Sequence, residues 1–287
     1  MDTDKMPGRL FVDGKDVFVE YGVWVTEGGW NGLLSMPPLK SVETNDWHEE
    51  DGVEVDLSAP VLDTHTASVS FACDAYWGKH ADFIAALSDG AYHDFDARYC
   101  GRRFKLRLVS ESELTAIHGL ARFSLSLADD FPLYGYEYSQ PEGSGVHPDG
   151  YSIDRKGLEY YGVRVLQGSL ASVMKAPAAK ENLSRDVKTK PGVDYDSANV
   201  TFKSKDIVLT CLMTAGNTEE LWSRWNALLH DLVLPGARQL LVEHIGHTFG
   251  CMYKSGVVDH FYPDAGKSWL WFTLTLTAIE NIRIKNS

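Results

Sequence analysis

His244 and His247 are the two residues of this sequence whose spacing comes nearest to that of a metal site. Two imidazoles three residues apart can share a zinc ion, but the first copy has no histidines in the equivalent segment, Asp96 to Gly101. Both histidines fall where the sequence predicts the turn of a β-hairpin. We therefore interpret them as turn residues and expect no metal there.

Acidic residues are the next candidates for chemistry. The run from Asp46 to Asp56 could hold calcium through its carboxylates, but it lacks the oxygen spacing and central turn of an EF-hand. A solvated loop is the interpretation that we favour. The chain also has no GxSxG, Walker, HExxH or dinucleotide-binding GxGxxG motif. The sequence thus predicts a protein that is not an enzyme, with no catalytic residue, cofactor or metal.

Eight tryptophans offer flat apolar surfaces on which a sugar could stack. Trp77, Trp222 and Trp225 fall in predicted helices that face a core. Those that lie near a long polar segment, and are available for an interface or a ligand, are Trp24, Trp30 and Trp47. A non-catalytic carbohydrate- or protein-binding β-sandwich module therefore stays open as an alternative function.

The segments that must position these residues form an internal repeat of the sequence. A shift of 140 positions gives 11 identities in the 36 positions from 21 to 56 without a gap, whereas unrelated segments would share roughly two. Each copy is long enough to bury its own core. We therefore predict two homologous domains, residues 1–140 and 151–287, joined by a linker at 141–150.

Each copy has the pattern of antiparallel β-structure with one helix. In the second copy, Asn217 followed by Glu220 is typical of a helix start. Both copies end in a strictly alternating strand, Phe123-Ser-Leu-Ser-Leu127 and Phe272-Thr-Leu-Thr-Leu276. The predicted fold is mainly β, a β-sandwich or open barrel with one flanking helix, duplicated in tandem.

A long polar segment is predicted to protrude from each copy, and segments of this length usually have a function. The candidate assembly residues are Pro37, Lys40, Trp47, Gly52 and Asp56 in the first copy and Pro177, Lys180, Lys188, Gly192 and Asp196 in the second. Two compatible interpretations stay open. These residues shape the hairpin itself, through the strand exit, the turn and a Lys–Asp bridge, or they contact a neighbouring subunit.

The two copies differ in charge. Residues 1–142 carry 25 acidic and 11 basic side chains, a net of −14, whereas residues 143–287 carry 15 and 16, a net of +1. Within the protruding segment, positions 35–50 have a net charge of −3 and positions 175–190 one of +3. Either the two loops drifted apart in solvent, or one copy's loop lies beside the other copy, where opposite charges align the contact. The total of −13 argues against a duplex-DNA binder.

The cysteines, the N-terminus and the lengths of the apolar runs indicate the cellular compartment. The four cysteines form no CxxC pair and occupy different positions in the two copies, so we expect buried free thiols. The N-terminus lacks the apolar core of a signal peptide, and no apolar run reaches the roughly 20 residues of a membrane span. We expect a protein that begins in a cytoplasm.

The order of short motifs in each copy is similar to a known pattern. Tyr-Gly-Val, Pro-x-x-Lys and Gly-Val-x-x-Asp, followed by a strand, a helix, a hairpin and an alternating strand, resemble the tube-forming domain of long-tailed bacteriophage tails, in particular the distal tail proteins. The tandem arrangement resembles the baseplate hub of contractile tails, where three chains form a pseudo-sixfold ring.

This resemblance implies a β-sandwich with a flanking helix and no catalysis. It implies a phage or prophage structural protein located in the virion tail and assembled in the bacterial cytoplasm. The implied partners are further copies of the chain, as a trimer or hexamer, and other tail proteins such as the tube, hub or tape-measure. DNA is expected only to pass through the lumen.

Overall fold

The structure is a computed structural model, and it describes residues 6–141, 143–182, 184–186, 188–189, 191–196, 199–263 and 266–284. About 40% of the chain is strand and 17% helix. Most strands belong to two curled antiparallel sheets, one from each half of the chain. The predicted fold class, mainly β with flanking helix, is confirmed.

The first sheet is formed by residues between 11 and 129. Its strands are β1 (Phe11–Val12), β2 (Lys15–Asp16), β3 (Val23–Val25), β6 (His65–Asp74), β7 (His93–Ala97), β8 (Arg102–Glu111), β9 (Thr115–Ile117) and β10 (Leu120–Asp129). They follow the order β2-β1-β7-β8-β10-β6-β3, with β9 also paired to β10. Strands β4 (Thr44–Asn45) and β5 (Glu54–Val55) form a separate antiparallel pair, which we call the first hairpin.

The second sheet is formed by residues between 151 and 280. Its strands are β11 (Tyr151–Ile153), β12 (Lys156–Gly157), β13 (Val163–Val165), β16 (Lys205–Ala215), β17 (Arg238–Val242), β18 (His247–Tyr262) and β19 (Ser268–Glu280). Their order, β12-β11-β17-β18-β19-β16-β13, matches that of the first sheet strand for strand. Strands β14 (Ser184–Asp186) and β15 (Val193–Tyr195) form the second hairpin, in the register of the first hairpin shifted by 140 residues.

Helices cover parts of both sheets. They are α1 (Val17–Tyr21), α2 (Asn31–Leu34), α3 (His80–Leu87), α4 (Ser169–Met174) and α5 (Thr218–Leu232), with 3-10 helices at Leu158–Tyr161 and Glu243–Ile245. Helix α5 begins where the sequence predicts it, because the Asn217 side chain accepts a hydrogen bond from the Glu220 N–H at 2.8 Å. Its apolar face, which includes Trp225 and Leu228, is buried.

One connected apolar core runs through both sheets. The predicted alternation holds in β10, where Phe123, Leu125 and Leu127 are buried and the intervening serines are not. In the second half, Trp225 meets Phe272 edge to face, with ring centroids 4.8 Å apart. All four cysteines are buried and unpaired, as expected.

The short helix α1 precedes β3, because Asp16 caps the helix and Gly22, at φ +66°, ends it. The prediction for Trp77 is wrong. Trp77 does not face a core from a helix. It lies before α3 and is 72% exposed, because the Asp74 carboxylate accepts the Trp77 N–H and holds a turn there.

Among the described residues, no helix is long and apolar enough to cross a membrane.

Candidate assembly interface

The first hairpin lies against the second half of the same chain. The Lys180 ammonium, whose side chain is only 3% exposed, lies 2.6 Å from Asp46 Oδ1 and donates to the Trp47 carbonyl at 2.6 Å. The hydrogen bond from Lys180 is the main cause that lowers the pKa of Asp46. Because a buried ammonium needs acceptors, this lysine fixes where the hairpin sits.

Gly52 lies where the backbones of the two halves approach each other closely. Its N–H donates to the Phe202 carbonyl at 2.8 Å, and its backbone has φ +78°. A Cβ at this position would overlap the carbonyl oxygen of Ile279. Only glycine combines this left-handed backbone with so close a contact.

Asp51 and its neighbours extend the contact around Gly52. The Asp51 carboxylate accepts the Phe202 N–H at 2.9 Å and pairs with the Arg283 guanidinium at 2.7 Å. The Thr201 hydroxyl donates to the His48 carbonyl at 2.6 Å. We call Lys180, Thr201, Phe202, Ile279 and Arg283 the second receiving surface. It is basic where the first hairpin is acidic, so opposite charges meet across the contact.

The segment after α2 continues the interface along β18. The Met36 N–H donates to the Gly256 carbonyl at 2.7 Å, and the Tyr253 hydroxyl donates to the Pro37 carbonyl at 3.0 Å. The Met36 side chain packs over Gly256, where an added Cβ would lie 2.5 Å from the Met36 sulfur. Strand β18 has irregular register on either side of Gly256, which suits a strand that receives a second segment.

The turn between β7 and β8 packs on α5 at another part of the boundary. The indole N–H of Trp222 donates to the Cys100 carbonyl at 2.6 Å, and the bond is buried. The Arg102 guanidinium lies over the Trp222 ring, 4.8 Å from its centroid. Burial lowers the pKa of Arg102 to about 10, so the side chain stays charged at neutral pH.

The predicted residues of the first copy have different fates. Pro37 is buried at the interface and Gly52 lies in it, whereas Lys40 is exposed. Trp47 is 51% exposed, and its indole N–H donates to Glu54 within the hairpin at 2.8 Å. The Asp56 carboxylate accepts the Ser58 N–H at 2.9 Å, which is a local turn contact.

Among the predicted residues of the second copy, Lys180 contacts the first half. Pro177 is half-buried, and Lys188 and Gly192 are exposed. The Asp196 carboxylate accepts a hydrogen bond from Asn199 at 3.0 Å, within its own segment. The hairpin-shaping interpretation fits the local contacts of Asp56 and Asp196. Gly52 and Lys180 form contacts between the two halves of one chain, and contact with a neighbouring subunit stays a prediction.

The candidates for metal and sugar binding are not assembled into a site. His244 lies 2.9 Å from the Asp149 carbonyl and His247 lies 2.7 Å from the Asn281 carbonyl, so the rings engage separate backbone groups. No group of three or more His, Cys, Asp or Glu suited to a metal occurs in the part of the chain that the structure describes. Of the three tryptophans predicted to be available for a ligand, Trp24 and Trp30 are buried and Trp47 is exposed.

Several interface residues carried no sequence signal. Phe202, Gly256 and Arg283 are not repeated between the copies. Phe202 contributes backbone groups that any residue has, and Gly256 contributes a carbonyl and room for the Met36 side chain. The signals that pointed here are the opposite charge of the two protruding segments and the repeated residues Pro37, Gly52 and Lys180. The fold and this contact together define a mainly β protein with two sheets of equal strand order, joined by a protruding hairpin.

Comparison with known proteins gave a likeness at the level of structure. No family model and no curated protein matches the sequence. Among solved structures, the chain is similar to the Dit protein of phage SPP1, which is described as a paradigm of the hub adsorption apparatus in phages that infect Gram-positive bacteria. The TM-score is 0.34 at 10% identity, over 94% of this chain and 98% of that one.

Proposed function

We propose that this chain is a structural, non-catalytic component of the tail tip or baseplate of a bacteriophage or prophage. It assembles with copies of itself into a ring of sixfold or pseudo-sixfold symmetry around the DNA channel, from three chains of two domains or from six chains. The observation that carries the proposal is the docking of the first hairpin on the second receiving surface.

That contact is heterologous, because a protruding hairpin on one side meets a different, receiving surface on the other. Heterologous contacts repeat in one direction and close into a ring when the rotation per unit divides 360°. The two sheets have the same strand order, so each half can serve as one wedge. We infer that the halves are copies of one ancestral domain, with boundaries near residues 140 and 151.

Charge supports alternation of the two halves around the ring. Opposite charges already meet at the Asp46–Lys180 contact, and the halves carry net charges of −14 and +1. An acidic wall along the channel would let DNA pass without adhering, because phosphates are repelled. The repeated Tyr-Gly-Val, Pro-x-x-Lys and Gly-Val-x-x-Asp motifs, which resemble tail-tube domains, support the phage assignment. The remaining partners are then tube, hub or tape-measure proteins of a virion tail assembled in the host cytoplasm.

Sedimentation velocity and negative-stain electron microscopy of the purified protein test this function. We expect particles of three or six times the chain mass of 32.0 kDa, with an annular shape and a central hole. A protein that remains monomeric up to its solubility limit contradicts the proposal. Glycan binding that depends on Trp47, without any oligomer, would favour the carbohydrate-binding alternative.

A further inference from the structure

Among the described residues, no hydrogen bond or ion pair between the second hairpin and the first half repeats the contact between the first hairpin and the second half. We propose that the second hairpin and α4 of one chain dock on the first half of a second copy of this chain, with Asp186 of one chain paired with Lys40 of the next. This inference rests on the proposed ring and names the contact between its chains.

The first half contains the framework of a receiving surface. In the second half, the Lys180 N–H donates to the Thr201 carbonyl at 2.8 Å; in the first half, the Lys40 N–H donates to the Val61 carbonyl at 2.9 Å. A bridge between positions 39 and 62 repeats as one between 179 and 202. We call Lys40, Val61 and Leu62 the first receiving surface. Its backbone is therefore built like the surface that already holds a hairpin.

Apolar exposure marks the other side of the proposed contact. Trp30 and Leu34 are 6% and 0% exposed, beside or within helix α2, which packs against β18. Their counterparts 140 residues later, Leu170 and Met174 in α4, are 38% and 51% exposed. On the first receiving surface, Val61 is also 55% exposed. Leu170 and Met174 are uncovered in one chain where their equivalents are covered, and a neighbouring chain would bury them together with Val61.

Charges fit the same pairing. Position 203 is Lys beside the first hairpin, and its equivalent, Asp63, lies beside the first receiving surface; both N–H groups bond the equivalent carbonyl at 2.8 Å. The first hairpin is acidic, whereas the second carries Arg185 and Lys188. The change from Lys203 to Asp63 thus accompanies the change from an acidic hairpin to one that carries basic residues, so the charges of these groups remain opposite across the proposed contact.

One pair keeps its sign in both copies. Asp46 and Lys180 form an ion pair within the chain, and Asp186 and Lys40 are their equivalents at a shift of 140. Both of these side chains are exposed, and neither forms an ion pair among the described residues. An intermolecular Asp186–Lys40 pair is what repetition of the observed contact requires.

Met174→Glu tests the apolar part. The side chain is half exposed, so the monomer should keep its fold. Assembly should weaken by roughly tenfold or more in dissociation constant, because an apolar side chain would otherwise be buried there and a charge is placed instead. Val19→Glu is the matched control: Val19 is 70% exposed, its equivalent is Glu159, and assembly should not change.

Disulfide crosslinking tests which surface of one chain meets which surface of the next. The native cysteines are buried, so Lys40→Cys protein mixed with Asp186→Cys protein should give disulfide-linked dimers under oxidation, and neither variant should do so alone. Lys40→Asp and Asp186→Lys should each weaken assembly severalfold, and their combination in one chain should restore it.

The outcomes separate the two proposals. A wild-type protein that never assembles overturns both the ring and this contact. Assembly that Met174→Glu leaves intact, or a disulfide that either single-cysteine variant forms with itself, overturns this contact alone and leaves the ring with a different seam. Crosslinking only in the mixture, with loss of assembly in Met174→Glu, supports it.

Discussion

Replacing Gly52 by alanine measures how tightly the first hairpin is held on the second half. At φ +78°, alanine is disfavoured by roughly 1–2 kcal/mol. The added Cβ also overlaps the Ile279 carbonyl, so the hairpin must move away from the second half. It then loses at least the Gly52–Phe202 hydrogen bond, which contributes about 1 kcal/mol. We expect a total loss of roughly 2–3 kcal/mol in the free energy of unfolding.

Gly192→Ala is the matched control. Gly192 is the equivalent position, at φ +87°, and no atom lies within 4 Å of a Cβ built on it. Dilute, monomeric protein carrying this change should lose only the backbone preference, roughly 1–2 kcal/mol. Urea unfolding followed by circular dichroism gives both values. Hydrogen exchange should show that the amide of Phe202 loses protection in Gly52→Ala and keeps it in Gly192→Ala.

Equal destabilisation by the two changes, with unaltered protection of the Phe202 amide, would refute the docked position of the hairpin. In concentrated protein, where chains associate, Gly192→Ala no longer serves as a neutral control. If the second hairpin docks on a neighbouring chain, Gly192→Ala should then impair assembly by the overlap that Gly52→Ala produces within the chain.

Three further perturbations probe other parts of the structure. The pKa of Asp46 is lowered in the folded protein, so the pairing adds stability above the unfolded pKa of 3.8, and this stability is lost as the pH falls through the folded pKa. Hydrogen exchange should therefore show that the first hairpin of the wild type loosens below about pH 3.8. Lys180→Met should loosen the hairpin at neutral pH and abolish this acid step. Gly256→Ala should destabilise by roughly 1–3 kcal/mol by crowding Met36, and a double-mutant cycle with Met36→Ala should recover part of the loss, whereas strict additivity would contradict the contact. Burial raises the pKa of all four cysteine thiols, that of Cys251 to about 12, so thiol reagents should modify native protein far more slowly than unfolded protein; rapid native labelling would contradict the buried positions.

The parts of the fold that follow a local pattern could be predicted from the sequence. Strict alternation located β10 and β19, and the Asn217–Glu220 pair located the start of α5, because period and capping are properties of neighbouring residues. The self-similarity of the chain indicated equal strand order in the two halves. Helix α1 was missed because five residues are too few to show a helical period.

The interface could be predicted only in outline. The opposite net charges of the two protruding segments are one reason to place a segment beside the other copy, and Asp46 does pair with Lys180. The partners of Gly52, at positions 202 and 279, are far away in sequence and offer backbone carbonyls. No pattern of side chains encodes such a contact. Identical residues of the two copies also differ in environment. Lys40 and Lys180 occupy the same motif, yet Lys180 is buried and Lys40 is exposed within one chain.

The first hairpin docks on its own chain, and this affects how a ring would form. A covalent link holds hairpin and receiving surface at a high local concentration, so this seam closes without any encounter between molecules. Half of the seams in a trimeric ring would thus be complete before the subunits meet. Fewer collisions would be needed for closure, and rings would form at lower protein concentration than from six separate single-domain chains.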